Sequence, residues 1–145
     1  MKKERLYEKL TDYQRASTRL VEATKLQIED DIVYDGVIQR FEFTFELSWK
    51  LMKMFLEYTG ISEIKSPRAT IREAYTYGLI DNGEEWIDMM VDRNKTSYFY
   101  DEEEARLIYE KVKNHYSYLL INLSAKMNEE IDELKWFGNL VTYGK

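Results

Sequence analysis

The stretch that decides the fold runs from Asp30 to Gly60: DDIVYDGVIQRFEFTFELSWKLMKMFLEYTG. Ile38, Phe41, Phe45, Trp49, Met52 and Leu56 recur at spacings of three and four, which places them on one face of an α-helix. Phe43, Leu47, Leu51, Met54 and Tyr58 make a second apolar stripe, about 160° away on a helical wheel. Between them runs a narrow charged stripe of Glu42, Glu46, Lys50, Lys53 and Glu57, with Glu46 and Lys50 at a favourable i,i+4 spacing. A helix that is apolar on most of its circumference either lies at the centre of a bundle or packs against a second subunit. Phe41, Phe45 and Trp49 are accordingly expected in a core or a dimer seam rather than in a base-stacking platform. Gly60, which tolerates positive φ, is the expected stop.

The flanking sequence continues the helical pattern. From about Lys3 to Lys25, Leu6, Leu10, Tyr13, Ser17 and Leu20 form a heptad-like seam with charged residues on the other faces. In SPRATIREAYTYGLI (66–80), Ser66 suits a helix cap, Pro67 the first helical position and Gly78 the stop. Asp81 with Glu84 has the spacing of a capping box. Trp86, Met89 and Met90 give the helix after it an apolar side, and its end is expected near Arg93 and Asn94. The last long helix is expected from Asp101 to about Leu134, with Ala105, Ile108, Val112, Tyr116, Leu119, Leu123 and Met127 facing inward. Asp101 to Glu104 suit the positive end of its dipole. The pattern predicts an all-α, antiparallel up-and-down bundle of three long and two short helices in a single domain spanning 1–145, with 135–145 as a short apolar tail.

Composition narrows the chemistry. The 145 residues are 44% hydrophobic, with one proline, six glycines and no cysteine. That excludes disulfides, thiolate zinc sites and cysteine nucleophiles, and it fits a reducing cytoplasm. The charged N-terminus MKKERLYEKL lacks the apolar core of a signal peptide, and no apolar run reaches the ~20 residues of a membrane span. A net charge of −6 does not favour RNA, because phosphate binding relies on basic surface. A carboxylate-bridged metal site in a bundle needs Glu-x-x-His pairs, and the only histidine, His115, has Val112 three residues before it. No hydrolase triad or glycine-rich phosphate loop is apparent, so neither metal nor cofactor is expected.

One segment resists a purely structural account: DRNKTSYFYDEEE (92–104). Arg93 suits a last helical turn, Asn94 a C′ position, and Thr96 and Ser97 an ordinary polar link. A simple connection has no need of Tyr98, Phe99 and Tyr100 in succession. The residues alone leave link and site equally open.

Three blocks in order, RFEFTFELSWKLMK (40–53), SPRATIREAYTYGLID (66–81) and EEWIDMMVDRNKTSYFYDEE (84–103), resemble the nucleotidyltransferase substrate-binding protein family across about residues 3–134. The resemblance implies a HEPN-type helical bundle, a homodimer, and a minimal nucleotidyltransferase partner encoded nearby, with a heterotetramer as the larger assembly. It also implies a toxin–antitoxin-like module in which the helical protein resembles a metal-independent ribonuclease. The corresponding ribonuclease pattern is Arg-x4-His-x-Tyr. Arg93 and Tyr100 match it, but Tyr98 stands at the histidine position. Imidazole exchanges protons near neutrality, whereas a phenol titrates near ~10 and is a poor base. By the same resemblance Tyr100 is a modification target, and Asn94, Thr96 and Ser97 share its partner-facing surface. The expected function is therefore a degenerate, non-catalytic partner of a nucleotidyltransferase. The alternative is an active ribonuclease using Arg93 with Tyr98 or Tyr100. A weaker option is a small-substrate groove lined by Trp49, Tyr75 and Trp86.

Overall fold

A helix with apolar side chains nearly all round needs neighbours nearly all round, and the computed structural model supplies them. It describes residues 3–98 and 101–143, with side chains described for 3–97 and 101–134. Helix α2 (Asp31–Tyr58) is contacted by α1 (Lys3–Thr24), α3 (Pro67–Tyr77), α4 (Gly83–Tyr98), α5 (Glu102–Lys111) and α6 (Ser117–Tyr143). A π-helical turn, Val112–Tyr116, joins α5 to α6 without a break. Among the described residues there is no strand, and the architecture is the expected all-α bundle.

Side-chain contacts fix the directions. Arg40 donates to the carbonyl of Arg19, and Thr44 Oγ1 lies 3.4 Å from that of Ala16, so α1 and α2 run antiparallel. Tyr7 donates to Asp132, and Tyr13 to the carbonyl of Leu120, so α1 and α6 do too. Thr44 and Ser48 are buried on α2 and return their hydroxyls to the carbonyls of Arg40 and Phe45, so neither hydroxyl is left unpaired.

The two stripes of α2 are not equivalent. Ile38, Phe41, Phe45, Met52 and Leu56 are buried within the chain itself, so Phe41 and Phe45 belong to the core. Trp49 is half-buried. On the second stripe Leu51 is buried and Leu47, Met54 and Tyr58 are half-buried, whereas Phe43 is 61% exposed.

The helix ends follow the local chemistry with two corrections. After Thr59 caps α2, Gly60 at φ 108° allows Ile61 N–H to reach the Leu56 carbonyl and Gly60 N–H the Glu57 carbonyl, closing the last turn. Ser66 caps α3 by accepting from Ala69 N–H, and Gly78 ends it at φ 100°. Asp101 caps α5 through Glu103 N–H, leaving Glu102 to Glu104 in the first turn. At α4, however, the capping side chain is Asn82, which accepts from Glu85 N–H; Asp81 is not the cap. That helix also continues past Asn94 to Tyr98. No glycine or proline interrupts that stretch, and the Thr96 hydroxyl bonds back to the Arg93 carbonyl.

The inward stripe of the last helix differs from the expected one just after the π turn. Val112 and Tyr116 are both buried, and one turn later Leu120 is fully buried while Leu119 is only half-buried. A π turn holds an extra residue, and its effect is local: Leu120 replaces Leu119, while Leu123 and Met127 are buried as expected. The helix runs beyond Leu134 to Tyr143.

The difference between the two α2 stripes is measurable. Phe41→Ala is expected to lower the unfolding free energy in urea by about 3–5 kcal/mol. Phe43→Ala is expected to change it by less than about 0.5 kcal/mol in dilute, monomeric protein.

Candidate functional site

Helix α4 presents two working faces, because residues three and four apart share a side of a helix. Trp86 and Arg93 turn toward α2: the Trp86 ring lies 6.4 Å from Phe45, and Arg93 Nη2 lies 3.5 Å from Glu46 Oε2. Glu85, Asp92 and Lys95 turn toward α5 and the π turn. Glu85 Oε1 is 3.4 Å from His115 Nε2, Lys111 Nζ donates to Asp92 Oδ2 at 3.2 Å, and Lys95 Nζ is 3.6 Å from Glu104 Oε1.

On the first face, Arg93 is the central residue. Its Nη1 donates to Ser97 Oγ at 3.4 Å, one helical turn on. Its Nε is buried and has no acceptor among the described residues. Glu46 in turn lies 3.5 Å from Lys50 through its other oxygen, so the expected i,i+4 pair forms and extends to α4. The site residues read from sequence divide accordingly. Arg93 and Ser97 come together. Asn94 is exposed, and Thr96 is half-buried with its hydroxyl committed to the backbone. Tyr98 is the last residue of α4, but its side chain lies outside the described residues, as does Tyr100 entirely.

On the second face, Asp92 is a buried carboxylate, 4% exposed. It survives there because three groups compensate it. The Tyr116 hydroxyl donates to Oδ2, Lys111 shares that oxygen, and Lys95 Nζ lies 3.7 Å from Oδ1. Burial first, and then the Asp92 hydrogen bond, push the Tyr116 phenol well above its ordinary range. Tyr116 also stacks on Phe41, with ring centroids 5.7 Å apart. A cleft of about 460 Å³ opens along this face, with His115 on its wall. The chain's only histidine and Arg93 thus engage different faces of α4 and different carboxylates. Among the described residues no three histidine, aspartate or glutamate side chains converge as a metal site requires.

The aromatic groove of the sequence reading does not assemble. Trp86 is buried beside Phe45, Trp49 lines a cleft with Lys9 and Lys53, and Tyr75 lines a separate cleft of about 770 Å³ between α3 and α4. Sequence reasoning passed over Asp92 and Glu46 as site residues. Glu46 carried a local signal, its pairing with Lys50. The sequence neighbours of Asp92 do not reveal its links to Lys111 and Tyr116, which come from another helix.

Comparison with known proteins places these features in context. Residues 8–129 match the family described as nucleotidyltransferase substrate binding protein like. A Haemophilus influenzae protein named probable ribonuclease HepT is 36% identical over 89 residues, covering 59% of this chain and 61% of that relative's length. A crystal structure from Thermus thermophilus superposes with a TM-score of 0.69 at 28% identity, covering 82% of this chain and 98% of that one. A Haemophilus influenzae structure, described as revealing the fold of a substrate binding domain of a nucleotidyltransferase, superposes with a TM-score of 0.64 at 26% identity. It covers 88% of this chain and 99% of its own.

The Asp92–Tyr116 contact generates a pH dependence. The folded chain favours the protonated phenol, so its stabilisation is complete below the unfolded tyrosine value of about 10 and is lost as pH rises above it. Unfolding free energy is expected to decline on the alkaline side of that value, and to decline less steeply in Tyr116→Phe. At neutral pH that variant is expected to cost about 1.5–3 kcal/mol, the range for a hydrogen bond to a charged group. Urea unfolding at a series of pH values measures both.

Proposed function

This chain belongs to the nucleotidyltransferase substrate-binding protein family, and from that premise we propose that it serves as the binding partner of a separately encoded minimal nucleotidyltransferase. It presents the end of α4 and the residues that follow, Arg93 to Tyr100, as the partner-facing surface. Arg93 and Ser97 supply anion-holding groups there, Asn94 and Thr96 flank them, and Tyr100 offers a phenol for modification. The observation that carries this reading is the separation of Arg93 from the chain's only imidazole. Arg93 engages Glu46 and Ser97, while His115 engages Glu85 across another face of α4. With Tyr98 at the position of the ribonuclease histidine, the segment keeps its charge-binding residue and lacks a proton carrier suited to neutral pH.

The assembly follows from the same reading. The exposed Phe43, beside half-buried Leu47 on the outer side of α2, supports a homodimer of HEPN type, with a heterotetramer once the nucleotidyltransferase binds. The pair would act as a cytoplasmic two-component, toxin–antitoxin-like module; no helix among the described residues is long and apolar enough to cross a membrane. One finding favours a second reading. The Haemophilus influenzae relative is named a probable ribonuclease, so the alternative is a ribonuclease that uses Arg93 with Tyr98 or Tyr100.

Two experiments separate the readings. Tagged protein co-expressed with the nucleotidyltransferase of a neighbouring gene is expected to co-elute with it, and intact mass to reveal any nucleotide adduct on Tyr100. Failure to co-elute counts against the partner role. Overexpression alone is expected to leave growth unchanged; growth arrest that Arg93→Ala relieves would establish the ribonuclease instead.

A further inference from the structure

Arg93 carries a guanidinium whose donors are incompletely used. Its contacts to Glu46 and Ser97, at 3.5 and 3.4 Å, are long beside the about 2.7–2.9 Å of a well-formed charge-assisted hydrogen bond. Its Nε is buried without an acceptor among the described residues. Nε and Nη2 make one edge of the planar fork, the edge that an oxyanion grips with two oxygens. Glu46 meets that edge through Oε2 alone, while Oε1 lies 3.5 Å from Lys50 Nζ. One carboxylate is thus divided between two cations and satisfies neither fully.

A pair whose only task was to fasten α4 to α2 would be short, bidentate and shielded. The Glu46 side chain is instead 36% exposed and that of Lys50 58%, in the regime where ion pairs add little to stability. Glu46 Oε2 stands against Arg93 Nη2, on the edge that an arriving anion would use.

We propose that Glu46 is an internal competitor for Arg93. A phosphate group arriving at the Nε/Nη2 edge displaces the Glu46 carboxylate, which stays paired with Lys50. This rests on the reading of the Arg93 segment as the surface that meets a nucleotide-handling partner. Lys50 lowers the cost of the exchange because the displaced carboxylate keeps a counter-ion instead of being left uncompensated beside an incoming anion. Phosphate fits better than carboxylate: two oxygens occupy the fork edge and a further oxygen remains for the Ser97 hydroxyl. No covalent bond changes, and Glu46 remains ionised throughout. Glu46 and Lys50 are positioning residues that act through Arg93.

The test titrates the full chain with inorganic phosphate, followed by NMR at the Arg93 Nε–H and the Ser97 amide. Glu46→Gln is expected to tighten phosphate binding by about 1.5- to 5-fold, the range that release of an exposed ion pair allows. Glu42→Gln removes the same charge one turn earlier on the same helix and is expected to have a clearly smaller effect. Lys50→Ala is expected to weaken binding more than Lys53→Ala does. The Glu46→Gln gain, read at Ser97, is expected to vanish when combined with Arg93→Ala. Equal affinities for Glu46→Gln and Glu42→Gln would overturn the competitor role, as would the absence of any phosphate-dependent shift at Arg93. Acetate binding as tightly as phosphate would overturn the choice of ligand. Co-elution with the nucleotidyltransferase is scored on the same proteins. An intact complex with unchanged phosphate affinity in Glu46→Gln defeats the competitor and leaves the partner role standing. A phosphate gain without any complex does the reverse.

Discussion

A helix whose apolar side chains cover most of its circumference cannot be left in water, and that constraint on α2 organises the molecule. Five other helices contact it, and its buried aromatics set where they lie. The constraint reaches the surface through one continuous path. Phe41 on α2 stacks on Tyr116, the Tyr116 hydroxyl holds Asp92, and Asp92 adjoins Arg93 in sequence. Core packing and the placement of α4 are therefore the same problem. The hydrophobic side of Tyr116 serves the first and its hydroxyl the second.

Much of this was legible in the order of residues, and the limits have physical causes. The stripes of α1, α2 and the last helix, and the caps at Ser66, Gly78 and Asp101, depend on neighbours three or four positions away, which a sequence displays directly. The end of α4 was misread because Asn94 suits a C′ position. Nothing there compels the chain to leave the helix, and the i,i+3 contact of Lys95 with Asp92 favours staying in it. The π turn left no mark, since the apolar spacing of Ala105 to Met127 reads equally well as ordinary α-helix. The pattern that singles out Arg93 is local, whereas its ion-pair partner Glu46 lies on another helix, and distance along the chain concealed that contact.

The two faces of α4 separate kinds of charge as well as residues. Toward α5, Asp92 is buried and compensated by a phenol and two ammonium groups, a closed arrangement with little left to offer. Toward α2, the guanidinium of Arg93 meets a carboxylate that is shared elsewhere. A compensated buried carboxylate and a loosely paired guanidinium are thus set about a third of a helical turn apart on one short helix.

The turn at Val112–Tyr116 has a consequence for how this bundle can vary. An extra residue in an α-helix would ordinarily rotate everything after it by about 100°, pulling Leu123, Met127 and Ile131 out of the core. A π turn absorbs the insertion locally, so the segments on either side remain in phase with their packing partners. His115 stands within that absorbed loop of helix. The wall of the cleft can therefore gain or lose a residue, and with it an imidazole, while the bundle behind it keeps its register.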